Sequence, residues 1–261
     1  MKVSQSQIAC FKACRRLYEL KYCYNLEPVE KPETLSRGLS YHAAVERILR
    51  HEMLDDLELE PKVKAMARVF ARNFRSAVDA VERWFEYSTQ SGHEVIGRMD
   101  ALGTDGSVIE HKTTSGLIDG AYFQRLEFDE QIPTYMLAAN TTEVIYTVCS
   151  TPTIRQKKNE TAEEFEERCV EWFEDESGGK KFSIENIHRT PEQLEAFSAE
   201  QDAIITEMDE CKLYYRNPAH CMKWGRLCEY APICNSYGPD VEAVGFKQRG
   251  EKHRHENTEL D

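Results

Sequence analysis

The sequence contains no long hydrophobic run, no internal repeat and no low-complexity block. No stretch approaches the ~20 apolar residues that a helix needs to cross a bilayer, and the first residues do not resemble a secretion signal. These absences argue against membrane-spanning, secreted and repeat proteins. We therefore expect a soluble intracellular protein without a membrane partner.

The chain also lacks an excess of basic charge, because its formal net charge is −13. This weighs against nucleic-acid binding, since contacts to phosphates need lysine and arginine. An average charge says little about one groove, however, and metal ions can neutralise acidic side chains in an active site. Basic side chains do cluster locally, within residues 12–21, 155–158 and 180–181, although each cluster could equally be a solvated surface.

Hydrophobic residues make up 41% of the 261 residues, which is enough for the packed core of one large domain. Hydrophobic periodicity predicts a helix that starts near Ser40 and further helices over residues 4–24, 63–89, 129–139, 160–175 and 190–215. Alternating and β-branched segments predict strands over residues 94–102, 107–113 and 143–150. The order of elements predicts an α/β fold with a mixed sheet wrapped by helices, in a single domain over residues 1–240. Residues 241–261 are predicted to be a disordered polar tail.

A hairpin in the middle of the chain carries the residues with the clearest chemistry. Thr104-Asp105-Gly106 is a turn signal between two strands, whose pairing brings Asp100 alongside Glu110. Side chains alternate along a strand, so Glu110 and Lys112 share one face. The pattern is compatible with an ordinary exposed hairpin, but it also suits phosphodiester hydrolysis. Asp100 and Glu110 would bind Mg²⁺ or Mn²⁺, and Lys112 would orient a water molecule or stabilise developing charge.

Two further segments accompany this hairpin. The segment Gly38-Leu39-Ser40-Tyr41-His42 puts a histidine at the start of a predicted helix, although a lone histidine is more often structural than a ligand. Gln131 and Tyr135 are four residues apart, so they lie on one face of a predicted helix shortly after the hairpin.

Taken in order, these residues resemble the RecB-like branch of the PD-(D/E)XK nucleases. That branch includes phage and bacterial exonucleases and the CRISPR-adaptation nucleases that carry iron–sulfur clusters. The resemblance runs from Ser4 to about Cys234. Five motifs carry it: Cys14-Arg15-Arg16-Leu17-Tyr18, Gly38 with His42, Gly97 with Asp100, Glu110 with Lys112, and Gln131 with Tyr135. The chain departs from the family pattern at Arg15, where a proline is usual, and in the spacing of its last cysteines.

The resemblance implies a PD-(D/E)XK nuclease core and a role for each motif residue. It implies that the metal ion is bound by His42, Asp100, Glu110 and the backbone carbonyl of His111. It also implies that Lys112 is the catalytic lysine, and that Gln131 and Tyr135 position DNA or support the site.

Nine cysteines crowd mainly the two ends of the chain, and such clusters in a reducing cytosol more often hold metal than disulfides. In the related nucleases, one N-terminal and three C-terminal cysteines hold a 4Fe–4S cluster. The resemblance therefore implies a structural 4Fe–4S cluster that joins the N-terminal helix to the C-terminal segment. Its ligands would be Cys14, Cys221, Cys228 and Cys234. Cys10 could replace Cys14, while zinc binding and simple burial of the thiols are the other interpretations.

We expect a Mg²⁺- or Mn²⁺-dependent deoxyribonuclease, an exonuclease that acts on DNA ends or single strands beside recombination or CRISPR-adaptation proteins. The resemblance also implies a location in the cytoplasm of a bacterial cell or of a phage-infected host. The alternative is a non-catalytic iron–sulfur DNA-binding subunit of a recombination or repair complex, which the net charge of −13 leaves open. The complete set of Asp100, Glu110 and Lys112 favours the enzyme.

Overall fold

The computed structural model describes residues 1–29, 33–223, 225–235 and 244–250. The chain forms two units. Unit 1 comprises Met1–Lys31, Phe85–Gly97 and Glu195–Asp261, and unit 2 comprises Pro32–Trp84 and Arg98–Leu194. Whether the two units together form the single domain that we predict over residues 1–240 stays a prediction.

The described residues form short and long helices interleaved with strands. The helices are α1 (Gln5–Ala13), α2 (Arg15–Tyr18), α3 (Glu33–Leu49), α4 (Pro61–Asn73), α5 (Gly120–Gln124), α6 (Gln131–Ala139), α7 (Ala162–Glu174), α8 (Pro191–Asp209), α9 (Pro218–Cys221) and α10 (Ala231–Asn235). The strands are β1 (Lys2–Ser4), β2 (Leu26–Pro28), β3 (Val78–Ser88), β4 (Glu94–Gly103), β5 (Val108–Thr114), β6 (Glu143–Ser150), β7 (Phe182–His188), β8 (Met222–Lys223), β9 (Arg226–Leu227) and β10 (Phe246–Gln248).

Unit 2 is built on a mixed sheet. Strands β4, β5, β6 and β7 are neighbours in that order, and β3 pairs with β4. The pairs β4–β5 and β6–β7 are antiparallel, whereas β5 and β6 are parallel and are joined through α5 and α6. Buried side chains of α3, α4 and the sheet, including Tyr41, Phe70 and Ile109, form one core. The predicted α/β fold with a mixed sheet and helices is confirmed.

The turn between β4 and β5 follows the chemistry that its sequence predicts. Asp105 Oδ1 accepts hydrogen bonds from the backbone and the hydroxyl of Ser107, at 3.0 and 2.6 Å. Gly106 has a φ of 83°, a left-handed value that glycine adopts without steric cost. The hairpin register is thereby fixed, with Ala101 opposite Ile109.

The prediction of one helix over residues 63–89 is wrong. Helix α4 ends at Asn73, and the second half of the segment is strand β3, which pairs with β4. β3 combines charged residues that suit a helix with valines and aromatics that suit a pleated sheet, and the pairing decides the outcome. Strand β7, which the sequence did not predict, pairs with β6 along nearly its full length.

Other predicted helices are present with different ends. The first breaks at Cys14, which is extended between α1 and α2. Helix α3 begins at Glu33 and not near Ser40, so His42 lies in its middle rather than at its start. Helix α8 ends at Asp209, whereas the predicted helix continued to residue 215.

Unit 1 begins with β1, which pairs in parallel with Glu94–Ile96 at the start of β4. Ser4 then starts α1 through a reciprocal capping box with Gln7, whose side chain accepts from the Ser4 N–H at 2.7 Å. Gly97 follows the paired segment. A Cβ atom there would lie 2.5 Å from Cζ of Phe85, so the packed ring leaves room for glycine alone.

Part of the predicted polar tail is ordered. Phe246–Gln248 form β10, antiparallel to β2, and Phe246 is buried beside Leu26 and Tyr230. The prediction of disorder is therefore wrong over residues 244–250, because an aromatic side chain anchors them to a core. Residues 241–243 and 251–261 lie outside the described residues. No helix in the described ranges has both the length and the apolar character needed to cross a membrane.

Candidate active site and cysteine site

The β4–β5 hairpin brings the two predicted carboxylates of unit 2 together. The pairs Ala101–Ile109 and Leu102–Val108 fix the register, and the next pair in this register is Asp100 with Glu110. Helix α3 contributes His42, and α6 contributes Gln131 and Tyr135. We refer to this group as the carboxylate site: His42, Asp100, Glu110, His111, Lys112, Gln131 and Tyr135.

Asp100 is oriented from two sides. Its Oδ2 accepts a hydrogen bond from the backbone N–H of His111 at 2.8 Å, and its Oδ1 lies 3.5 Å from Nδ1 of His42. Burial favours the protonated acid, but His42 and the His111 N–H outweigh it and hold the pKa of Asp100 well below its usual range. Burial opposes the charge of His42 as well, yet Asp100 raises the pKa of His42. The two groups thus stabilise each other in their charged forms.

Glu110 is enclosed more completely, with 1% of its side chain exposed. Burial raises the pKa of Glu110 to about 8, although the Lys112 ammonium opposes this shift. Burial would lower the pKa of Lys112, but the ion pair with Glu110 raises it. Apart from this ion pair, neither carboxylate oxygen of Glu110 accepts a hydrogen bond from any described residue. A buried carboxylate with so few donors is costly unless a cation joins it.

A chain of hydrogen bonds leads from Lys112 into α6. Lys112 Nζ donates to Oε1 of Gln131 at 2.7 Å, and Gln131 Nε2 donates to the Tyr135 hydroxyl at 2.6 Å. That hydroxyl donates to the backbone carbonyl of Arg98 at 3.0 Å. Burial raises the pKa of Tyr135, so the hydroxyl keeps its proton and serves as the donor. The chain fixes the position of the Lys112 ammonium.

The imidazole of His111 packs on the other side of β5. Its Nδ1 lies 2.7 Å from the Thr147 hydroxyl, and its ring meets Phe70 and Phe74 edge-on at centroid distances of 5.0 and 6.0 Å. Burial lowers the pKa of His111 to about 4, so the ring is neutral at pH 7. Because the ring lies on the face of β5 opposite to Glu110 and Lys112, any contribution of His111 to metal binding would come from its backbone carbonyl.

The chemistry of these donors fits a divalent cation. Asp100 and Glu110 offer hard oxygen atoms and His42 offers an imidazole, a set that Mg²⁺ or Mn²⁺ accepts. The buried, poorly satisfied oxygens of Glu110 are where a cation would be most stabilising. In the part of the chain that the structure describes, however, no three His, Cys, Asp or Glu side chains are already drawn together as a metal site. Lys112 Nζ lies against Glu110 instead.

The four predicted cluster ligands lie in unit 1 and line one small cavity of about 90 Å³ with Leu20 and Tyr230. We refer to them as the cysteine site: Cys14, Cys221, Cys228 and Cys234. Cys14 Sγ accepts from the backbone N–H of Asn217 at 3.4 Å, and Cys221 Sγ donates to the Asn217 carbonyl at 3.4 Å. Cys10 does not line this cavity, and burial raises its pKa to about 12.

Sequence reasoning missed three groups that hold the carboxylate site. Asp129 caps α6, accepting from the N–H groups of Gln131 and Ile132 at 2.9 and 3.0 Å. An aspartate just before a helix is a readable cap signal. Thr147, which orients the His111 ring, and the Arg98 carbonyl, which accepts from Tyr135, have no local signal, because strand pairing and tertiary packing bring them there.

The motif glycine Gly38 behaves differently from Gly97. A Cβ atom on Gly38 would lie 3.6 Å from the Thr113 hydroxyl, which is an ordinary contact. Packing within unit 2 therefore does not explain the glycine at this position.

The family model of the PD-(D/E)XK nuclease superfamily matches residues 2–235, and the chain belongs to this superfamily. Its members generally use divalent metals such as Mg²⁺. A comparison with curated proteins found no match.

Several solved structures are similar to this chain. A candidate exonuclease from Eubacterium rectale is 11% identical, with a TM-score of 0.56, and the likeness covers 93% of this chain and 92% of that one. An alkaline exonuclease from Laribacter hongkongensis is 13% identical, with a TM-score of 0.37, covering 80% of this chain and 88% of that one. A phage-related exonuclease from Haemophilus somnus is also 13% identical, with a TM-score of 0.35, covering 80% of this chain and 96% of that one. At 11% identity the first likeness shows the fold, and the two lower TM-scores add no argument.

Proposed function

We propose that this chain is a Mg²⁺- or Mn²⁺-dependent deoxyribonuclease of the RecB-like branch, an exonuclease acting on DNA ends or single strands. Membership of a nuclease superfamily implies hydrolysis of a nucleic acid. The observation that carries the proposal is the convergence of Asp100, Glu110 and Lys112 in unit 2, with both Glu110 oxygens buried and short of donors.

The metal ion would be held by Asp100, Glu110, His42 and the backbone carbonyl of His111. When bound, it supplies Lewis-acid activation of the phosphate and a more acidic water molecule. The ionised Asp100 is ready for this role, and a cation beside Glu110 would favour the ionised form of that group too.

The chain's own groups do the remaining work. The Lys112 ammonium is charged at pH 7 and is fixed by Gln131, so it can hold a water molecule or stabilise negative charge on the phosphate. Tyr135 positions Gln131 through its hydroxyl. Both α6 residues therefore act on the reaction through Lys112.

The test is digestion of end-labelled single-stranded DNA with Mn²⁺, comparing the wild type with Glu110→Ala. Glu143→Ala is a matched control, because Glu143 is an exposed glutamate of the same sheet. We expect Glu110→Ala to lose all cleavage and Glu143→Ala to cleave like the wild type. A wild type that degrades no form of DNA would support the accessory DNA-binding alternative. If it instead co-purifies with recombination or CRISPR-adaptation proteins and cuts DNA, those partners are supported.

We further propose a structural 4Fe–4S cluster at the cysteine site. Four thiols on one cavity support the cluster, since Cys₄ ligation is what it requires. Anaerobic purification followed by visible absorbance, with iron and zinc quantified, tests this. A brown protein with about four irons supports the cluster. Bound zinc without iron would support a zinc site in its place. A colourless, metal-free protein would mean that the four cysteines are buried thiols. A location in the bacterial or phage-infected cytoplasm stays a prediction from the sequence.

A further inference from the structure

Strand β3 contains a backbone irregularity close to the carboxylate site. Glu82 has a φ of 55°, a left-handed value that costs a non-glycine residue energy. The exposure pattern changes there. The expected alternation along the strand is lost, and Arg83 and Trp84 are both exposed. Irregularities of this kind next to active sites re-aim a side chain. Here the result is an indole that is 46% exposed.

Trp84 contacts Arg98, which lies two residues before Asp100 of the carboxylate site. The Arg98 guanidinium lies 5.7 Å from the centroid of the Trp84 ring, and its Nε forms an ion pair with Glu82. Arg98 is 53% exposed. It precedes Asp100 by two residues in β4, so the two side chains share one face of the strand. The backbone carbonyl of Arg98 accepts the last hydrogen bond of the chain that begins at Lys112.

We propose that Trp84 and Arg98 form a nucleotide subsite beside the carboxylate site, which takes one unpaired base and its phosphate. The inference rests on the proposed function and specifies its substrate as a single strand. An exposed indole gives a stacking surface for any base, and Arg98 gives a phosphate contact. Stacking on Trp84 requires a base whose face is free, and a flexible single strand supplies one more readily than a duplex interior, where neighbouring bases cover both faces.

The spacing suits a short single strand. Two residues of an extended strand span about 6–7 Å, which is close to two successive rises of ~3.4 Å per stacked nucleotide. The phosphate that contacts Arg98 would therefore lie within about two nucleotides of a phosphate bound at Asp100. The acidic net charge of −13 makes this useful, because stacking supplies affinity that does not depend on basic charge.

A double-mutant cycle between protein and DNA tests the subsite. Short fluorescein-labelled oligo-dT strands, each with one abasic position at a different distance from the end, are bound to the full chain in EDTA by anisotropy. Trp84→Ala should weaken binding of the intact strand about 5- to 150-fold. When the abasic site is at one particular position, the affinity of the wild type should fall by this same factor relative to the intact strand. The affinity of Trp84→Ala should not fall further at that position. Trp84→Phe should restore most of the affinity.

The controls separate this role from a structural one. Trp172→Ala removes another indole with a cation above it, the Lys181 ammonium at 4.8 Å, and should leave binding unchanged. Arg98→Ala should reduce the slope of log Kd against log salt by about one phosphate contact, whereas Arg98→Lys should keep it. Thermal unfolding of each variant shows whether the fold is retained.

The outcomes also separate the subsite from the proposed function. If the wild type cleaves single strands but Trp84→Ala binds them as tightly, the subsite is wrong and the nuclease stands. Equal abasic losses in both proteins, or no binding of single strands at all, overturn the subsite too. If the cycle shows coupling at one position but no metal ion gives cleavage, the subsite stands and the nuclease fails.

Discussion

In unit 2 the carboxylate site rests on paired strands and two helices, whereas in unit 1 the cysteine site rests on short segments. Cys14 lies in the break between α1 and α2, Cys221 ends a four-residue helix and Cys234 lies in a five-residue one. Hydrogen bonds among its own residues hold the carboxylate site: the His111 N–H donates to Asp100, and a separate series runs from Lys112 to the Arg98 carbonyl. The thiols of Cys14 and Cys221 are tied to a single residue, Asn217. The first site is preorganised by strand register, whereas the proposed cluster would contribute more of the order of the second.

If the carboxylate site and the cysteine site are independent, Lys112→Met should abolish cleavage without loss of the iron proposed at the cysteine site. This is the largest effect that we predict. The variant removes the ammonium group but keeps an unbranched side chain of similar length. We expect the rate of Mn²⁺-dependent cleavage to fall by about 10²–10³-fold or more, as for the loss of one charge-stabilising donor in other enzymes. Single-turnover digestion measures the rate, and iron analysis of the same sample gives the control. Iron lost together with activity would show that the two sites are not independent.

The complementary change is Cys221→Ser in the cysteine site. Since bound metal contributes to folding free energy, we expect most of the iron to be lost and the Tm to fall by more than about 4 °C. Cys23→Ser is the matched control, because Cys23 is an exposed cysteine of unit 1 outside the cavity. Cys10→Ser should keep the iron if Cys14 is the ligand. Iron retained in Cys221→Ser and lost in Cys10→Ser would contradict the proposed ligand set.

The same contrast explains what could be predicted from the sequence. The hairpin of β4 and β5 was predicted because alternation and an Asp-Gly turn are local signals, and they suffice to bring Asp100 to Glu110. The division of residues 63–89 into α4 and β3 could not be predicted, because pairing with β4 overrides local preference. Glutamate rarely adopts the left-handed backbone conformation that Glu82 has here. The sequence therefore could not predict the exposure of Trp84.

The roles of the site residues are a separate matter from their positions. The structure brings Lys112, Gln131 and Tyr135 into one series of hydrogen bonds, which the sequence did not predict. Whether they act in catalysis stays a prediction. The resemblance likewise named four thiols that line one cavity. That they bind a metal stays a proposal.

A smaller effect is expected from Tyr135→Phe, which removes one hydroxyl from the middle of the chain that positions Lys112. Both the bond from Gln131 and the bond to the Arg98 carbonyl are lost. Because such supporting partners typically contribute 10- to 100-fold, we expect kcat to fall by about tenfold with KM little changed. Tyr146→Phe is a control, since its hydroxyl bonds to Tyr122 rather than to α6. A rise in KM alone would indicate that Tyr135 contacts DNA directly.

The smallest predicted effect is a gain in stability for Glu110→Gln. Burial raises the folded-state pKa of Glu110 from 4.5 to about 8. Below pH 4.5 the group is protonated in both states and costs nothing; as the pH rises, the unfolded chain loses this proton first and wild-type stability decreases. Glutamine cannot ionise, so its advantage should grow from pH 4.5 to about 8 and reach about 2–4 °C in Tm, the shift produced by roughly 1 kcal/mol.

A divalent cation should reverse this difference, so that the wild type becomes more stable than Glu110→Gln. A bound cation stabilises the ionised wild-type carboxylate, so Mn²⁺ should raise the Tm of the wild type at pH 8 and have little effect on Glu110→Gln. Differential scanning fluorimetry at pH 4.5 and pH 8, with Mn²⁺ and with EDTA, measures all four states. If Glu110→Gln were no more stable than the wild type in EDTA at pH 8, the Lys112 ion pair alone would neutralise Glu110. The carboxylate site would then be complete without a metal ion, and its contrast with the cysteine site would rest on the cluster alone.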